Sequence, residues 1–343
     1  MTRTIHYLGY PGPVGGACTE AWHTVRLWRE VGWNVVLVPT WGHNPEWEEK
    51  LNAIGAETLH VTREQFETMD GIECVVAMCN SNFLDLYANL KQRGIKTVWS
   101  NCMTWLFDRE KPLYAEHGPP DAFHYQSRFQ RLMLEPELQK IDIPKESGHV
   151  IHGAFFTDEY PFQPATHYQN GPFVIGKLAR ADRDKWSSNH WPILKSVPYA
   201  DRRSLNMGWT DALSKKLGAP PGWAECMVPG SISGQAFLQR CHALIGLNGG
   251  ARENWPRVGL EAMACGVPLV VQNQWGWREM VVHGETGFLA GNDQEFAYYL
   301  AHLAHDRKAR TDMIEAARAH LDVLADQNEI TEGWNRLFES IGV

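Results

Sequence analysis

The chain has 343 residues, 44% hydrophobic and 21% charged, which is enough apolar side chain for full cores and unlike the composition of a disordered chain. Its formal net charge is −8, concentrated in residues 1–160, where 14 Lys/Arg face 21 Asp/Glu, against 18 and 19 in residues 161–343. That balance argues against a broad electrostatic footprint for nucleic acid. In chain order, residues 4–9 (TIHYLG) read as a strand and 10–17 (YPGPVGGA) as a Pro/Gly loop. Residues 19–31 carry Ala21, Trp22, Val25, Leu27 and Trp28 at helical spacing, and 34–39 (NVVLVP) read as a buried strand. Together they make a βαβ unit, the building block of a parallel sheet covered by helices. A weak strand follows at 57–61, a stronger one at 74–78 (CVVAM), a helix near 84–93, and strands beginning at 97 and 149.

Residues 161–172 (PFQPATHYQNGP) turn to loop composition. They mark the expected boundary between a domain at 1–160 and another at 161–325. The second restarts with strands at 173–176 (FVIG), 204–207, 224–228, 243–246 (ALIG) and 268–271 (PLVV). Helices are expected near 234–241, 259–265 and 293–305. The tail 308–338 is expected to be helical, with Gly333 as its weak point, and 326–343 forms a final helix that could pack back on the first domain. Two doubly wound α/β domains imply a central cleft, because open parallel sheets bind ligands at the carboxyl ends of their strands.

Seven cysteines, at 18, 74, 79, 102, 226, 241 and 265, show no C-x-x-C spacing, which suggests thiols in a reducing compartment. No stretch reaches the ~20 apolar residues that span a bilayer, and the N-terminus has no signal-peptide pattern, so the expected location is the cytoplasm. Fifteen histidines include no H-E-x-x-H or comparable ligand spacing, so no metal is expected. The fifteen Trp include several in turn-rich contexts, such as Trp41, Trp105 and Trp275. They suit either core packing or a sugar-handling face.

The most informative stretch is residues 249–290, GGARENWPRVGLEAMACGVPLVVQNQWGWREMVVHGETGFLA. Pro256 can open a helix, since its missing N–H costs nothing in the first turn. Glu261 would then lie in that helix and Glu253 in the loop before it. The helix N-terminus, with Arg257 and Val258, would offer free N–H groups to a diphosphate. A helix carboxylate can accept hydrogen bonds from ribose hydroxyls, and one in the loop can reach the donor sugar.

This stretch resembles the donor-binding signature of family 4 of the retaining glycosyltransferases. The resemblance runs from the E-x7-E pair, Glu253 and Glu261, through the Gly266-Val267-Pro268 turn, to the string from His283 to Leu289. It implies a GT-B fold, two Rossmann-like domains facing a cleft, and a nucleotide-diphosphate sugar, UDP- or GDP-linked, as co-substrate with no other cofactor. By the resemblance Glu261 binds the ribose and Glu253 sits near the transferred sugar. Residues 176–186 (GKLARADRDKW) look like the stretch that grips the diphosphate, a role mapped to Arg180 and Lys185. The simpler form of that motif has Arg directly after the Gly, where this chain has Lys177. Gly15 and Gly16 fit the glycine-rich loop that approaches the phosphates, since Gly allows close backbone approach. Many family members carry a His near residues 99–105 that meets the donor sugar. Here the polar candidate is Asn101, with Trp105 beside it on the acceptor side. His152 and Gly153 resemble the hinge region, with a structural role expected for His152.

The resemblance implies transfer with retention, without a stable protein nucleophile: the departing phosphate takes the acceptor's proton on the same face, and Arg/Lys side chains and a helix N-terminus stabilise the leaving group. The acceptor could be a glycan, a small molecule or a lipid. Two other readings stay open. One is a phage-type enzyme glycosylating hydroxymethylated pyrimidines in DNA, served by a local patch of Lys91, Arg93, Lys96, Arg128 and Arg131. The other is a non-catalytic nucleotide-sugar binder or an epimerase on the same fold.

Overall fold

The computed structural model describes residues 3–9, 11–12, 15–40 and 44–343. Pro13, Val14 and Trp41 lie outside the described residues. The chain divides into two compact units, Met1–Phe155 with Ala325–Val343, and Phe156–Leu324. The division falls five residues before the Pro-rich stretch, and the last helix belongs to the first unit.

Unit 1 alternates strands and helices: β1 (Thr4–Leu8), α1 (Gly16–Glu30), β2 (Asn34–Val38), α2 (Pro45–Ala53), β3 (Glu57–Thr58), α3 (Arg63–Thr68), β4 (Cys74–Met78), α4 (Asn82–Gln92), β5 (Lys96–Ser100), α5 (Glu110–His117), β6 (Ala122–Tyr125), α6 (Arg128–Gln139) and β7 (Gly148–Val150). The strands form one parallel sheet in the order β3-β2-β1-β4-β5-β6-β7. Strand β4 is buried at every position, as a central strand covered by helices on both faces must be. The short β6 is hard to see in the sequence because it reads AFHY. Its His124 is nonetheless a core residue, with Nδ1 3.0 Å from Ser100 Oγ and Nε2 2.8 Å from the Ile151 carbonyl. Burial holds that imidazole's pKa down at about 4, so it is neutral.

Unit 2 repeats the plan: β8 (Phe173–Leu178), α7 (His190–Ser196), β9 (Arg202–Met207), α8 (Asp211–Leu217), β10 (Ala224–Met227), α9 (Gly234–Leu238), β11 (Ala243–Gly246), α10 (Arg257–Cys265), β12 (Leu269–Gln272), α11 (Trp277–Met280), β13 (Phe288–Ala290), α12 (Asp293–His305) and α13 (Arg307–Leu324). Its parallel sheet runs β10-β9-β8-β11-β12-β13. Phe173, Ile175, Ile245, Val270 and Leu300 lie in its main core, between the sheet and α7 and α12.

The helical tail is two helices, and the second matches the final helix expected at 326–343. α13 stops at Leu324, and α14 (Gln327–Ser340) starts again under an Asp326 cap that accepts from the Asn328 and Glu329 N–H groups. The break therefore falls at residues 325–326, not at Gly333. Gly333 lies within α14, where a Cβ would come within 3.1 Å of Ile151 Cγ2. Its missing side chain lets α14 settle on unit 1, alongside the Trp334–Trp28 edge contact at 5.0 Å.

Candidate functional site

In unit 2 the strand order reverses between β8 and β11, the switch point where an open α/β sheet binds ligands. The loops leaving the carboxyl ends of these two strands carry a connected polar cluster. Lys185 Nζ lies 2.9 and 3.0 Å from the two carboxylate oxygens of Glu253. Asn248 Nδ2 donates to Glu253 Oε1 at 2.6 Å, while its Oδ1 accepts from Lys177 Nζ at 3.1 Å. Lys177 also donates to the Leu247 carbonyl at 3.0 Å. The backbone fixes this arrangement. The Asp184 carbonyl, in the short 3₁₀ turn Arg183–Lys185, accepts from the N–H groups of Gly249 and Ala251 at 2.8 and 3.1 Å. Gly276 N–H donates to the Glu253 carbonyl at 2.9 Å. Burial acts to raise the Glu253 pKa, but Lys185 and Asn248 outweigh it and hold the carboxyl below its usual value, so it is ionised at neutral pH.

The loop that carries Asn248 and Glu253 feeds α10. Pro256 sits one residue before the helix, as its N-cap, and Arg257 and Val258 form the first turn. Arg257 and Glu261 are both buried. Burial raises the Glu261 pKa, partly opposed by the Arg257 charge and by the Tyr160 hydroxyl 3.4 Å from Oε1. Gly266 ends the helix in the left-handed conformation, with φ 79° and ψ 40°.

The other sequence-predicted residues land differently. Arg180 is exposed and pairs with Asp182 at 2.9 Å, outside the Lys185–Glu253 cluster. Lys177 is inside the cluster but only 3% exposed, so its ammonium serves Asn248 and Leu247. Gly15, at φ 108°, caps α1 and Gly16 opens it. Asn101 is buried in unit 1: Nδ2 donates to Glu110, and Oδ1 accepts from Met103 N–H at 2.8 Å. Those bonds give it a structural place in the core, not an open acceptor-facing one. Trp105 is 54% exposed. His152 is half-buried, and burial pushes its pKa down to about 4. Much of the basic patch weighed for DNA is already engaged. Lys91 and Lys96 lie 3.5 Å from Asp121, Arg131 is 2.6 Å from Glu135, and Arg93 donates to the Phe66, Glu67 and Met69 carbonyls. Among the described residues no group of three or more His, Cys, Asp or Glu is placed to hold a metal ion. No helix among them is long and apolar enough to cross a membrane.

Residues 213–320 match the family model described as Glycosyl transferases group 1. Several solved structures superpose over almost the whole chain. Anabaena HepE, crystallised with UDP and glucose, has a TM-score of 0.76 at 16% identity, covering 98% of this chain and 100% of its own. A glycosyltransferase from Rickettsia africae has a TM-score of 0.76 at 13% identity, covering 99% of both chains. Sucrose-phosphate synthase from Thermosynechococcus elongatus has a TM-score of 0.75 at 13% identity, again covering 99% of both. The fold is GT-B. No curated protein sequence matches the chain.

The segment matched by the family model holds Asn248, Glu253 and Glu261, whereas Lys177 and Lys185 lie before it. Part of that segment is scaffold. In the string 283–289, His283 Nδ1 accepts from Leu289 N–H at 3.0 Å, and the Thr286 hydroxyl accepts from Val282 N–H at 2.9 Å. These bonds fold a tight turn that starts β13. Asn248 was absent from the sequence-based site, yet it touches both Glu253 and Lys177. Its signal was positional: a polar residue two places after β11, at the switch point.

Lys177 gives a pH test of the cluster. Burial, offset in part by Glu253, pushes its pKa from 10.5 down to about 7. Between those values the unfolded chain binds more protons than the folded one, so this group makes stability rise with pH, by up to ~1.4 kcal/mol per unit. The unfolding free energy of the wild type relative to Lys177→Met is expected to grow steadily from neutral pH upward in urea titrations. A difference that stays flat with pH would mean that the ammonium remains charged in the fold.

Proposed function

We propose that the chain is a retaining glycosyltransferase that moves a sugar from a UDP- or GDP-linked donor, held by unit 2, to a hydroxyl acceptor. The observation that carries this reading is the Lys185–Glu253 ion pair at the β8/β11 switch point, one loop before α10, in a chain whose residues 213–320 match group 1 glycosyl transferases. The UDP in the Anabaena HepE and S. aureus TarM complexes supports UDP as the first donor nucleotide to test.

As the glycosidic bond breaks, the departing diphosphate gains negative charge. Lys185 and the N–H groups opening α10 stabilise that charge, without a metal in this role. Arg180 joins them by leaving Asp182, an exposed pair whose loss costs at most about 1 kcal/mol. Glu253, kept ionised, faces the positive charge that develops on the sugar ring. Glu261 accepts from the ribose hydroxyls. The leaving phosphate takes the acceptor's proton on the face it departs from, so the anomeric configuration is retained.

The test is a panel of UDP- and GDP-sugars followed by thermal shift, with NMR of the transferred anomer against glycan, lipid and hydroxymethylated-DNA acceptors. A donor at about a hundredfold over its Kd should stabilise the fold by ~2.7 kcal/mol. Inverted product, or no stabilisation by any nucleotide, overturns the proposal. Glu261→Gln is expected to raise the donor Kd about tenfold with little change in kcat, since it weakens a bond made equally in ground and transition states. Calorimetry of UDP binding checks this, and an unchanged Kd removes Glu261 from the ribose.

A further inference from the structure

Unit 2 has a partly open cavity of about 220 Å³, built from residues the proposed transfer does not use. One wall is α13, with Arg307 and Arg310. The other is the segment before β8, with Phe162 and Pro164, and Ile314 adds further apolar surface. Arg310 is only 6% exposed, yet no carboxylate lies within ion-pair distance of it or of Arg307 among the described residues. Its guanidinium donates to the Leu303 carbonyl and lies 5.9 Å from the Phe173 ring centre.

A carbonyl cap uses one of five guanidinium N–H groups and needs no charge. Burying a cation without a counter-ion is costly, and here a second guanidinium shares the cavity. The two arginines repel: burial and the Arg307 charge both lower the Arg310 pKa, and Tyr199 and the Asp306 carboxylate oppose this only in part. Glu315 is the cavity's acidic residue. It is exposed at the rim and makes no ion pair with either arginine among the described residues. His167 also lines the cavity, 3.1 Å from the Tyr199 hydroxyl, and burial lowers its pKa, so it is neutral at physiological pH.

We infer that this cavity binds a small phosphate-bearing anion, gripped by Arg307 and Arg310, with any organic part against Phe162, Pro164 and Ile314. At about 220 Å³ it is smaller than the pockets that enclose drug-sized ligands, which start at roughly 300 Å³. That favours inorganic phosphate or a hexose monophosphate over a nucleotide. Guanidinium forks suit phosphate geometry in particular. The site is independent of the donor reading, because none of its residues belongs to the Lys185–Glu253 cluster.

Calorimetric titration of the full chain with inorganic phosphate, and separately with a hexose monophosphate, tests this. Saturable binding of either anion is expected, with affinity falling about tenfold or more in Arg307→Gln and unchanged in Lys185→Met. Arg307 is exposed, so its replacement leaves the fold intact; Arg310→Gln, checked for folding by circular dichroism, should weaken binding further. Tighter binding of the hexose monophosphate identifies an organic phosphate as the ligand, and equal affinities identify the free ion. Absence of saturable binding overturns the inference. So does binding that survives Arg307→Gln but is lost in Lys185→Met, because the anion would then occupy the proposed diphosphate site.

Discussion

Replacing Lys185 by Met is expected to lower kcat for sugar transfer by about a hundredfold or more, the usual cost of removing one fixed donor from a charge that develops in the transition state. KM for the donor should change much less, because the interaction strengthens as the diphosphate departs. Glu253→Gln is expected to cost a similar factor. It keeps the shape that accepts from Asn248 but removes the charge that Lys185 pairs with at 2.9 Å. The two side chains form one ion pair, so their losses should not add. The double variant is expected to sit near the worse single one. Single-turnover transfer, measured for both singles and the double, checks this. Because Glu253 is ionised at neutral pH, its loss should lower the rate by the same factor across the neutral range. Full turnover in Glu253→Gln would remove it from the chemistry. An unchanged rate in Lys185→Met would move the phosphate grip to Arg180.

Where local pattern and tertiary demand agree, the elements were legible. CVVAM is β4 to the residue, and 293–305 is α12 to the residue. Glu253 and Glu261 fall as expected, one carboxylate in the loop and one in the helix. Elements whose identity depends on partners far along the chain were not legible. β6 is four residues long with a His inside it, and only the Ser100 and Ile151 contacts make that His a core residue. Gly333 looks like a weak point of the tail, because its packing on Ile151 cannot be read locally. The same limit governs the site. Arg180 and Lys185 are both cations after β8, and only the fold separates an exposed Arg180 from a Lys185 aimed at Glu253. Asn248 carries no motif, and its role comes from lying where three loops converge.

That convergence makes Gly276→Ala the most disruptive small change near the site. Gly276 has an ordinary helical φ of −63°, so the need for glycine is steric rather than conformational. A Cβ there would overlap the Asn254 carbonyl and come within 3.1 Å of the Glu253 carbonyl oxygen. Both are backbone atoms, which cannot turn aside as a side chain can. The preceding Trp275 already sits at φ 56°, a left-handed conformation that costs a bulky residue energy and is common where a site constrains the backbone. Little slack remains, and the loop holding Glu253 has to move. A shift of about 1 Å in a catalytic group is enough to cost about a hundredfold in rate, and the overlap itself should destabilise the fold by roughly 3 kcal/mol. Gly276→Ala is therefore expected to lose transfer activity to the same degree as Lys185→Met, with a lower Tm than the wild type. Calorimetric unfolding and single-turnover transfer on the same preparation separate the two effects. Wild-type Tm together with activity within tenfold of wild type would show that the loop yields without moving Glu253, and the backbone contact at Gly276 would then have no part in positioning it.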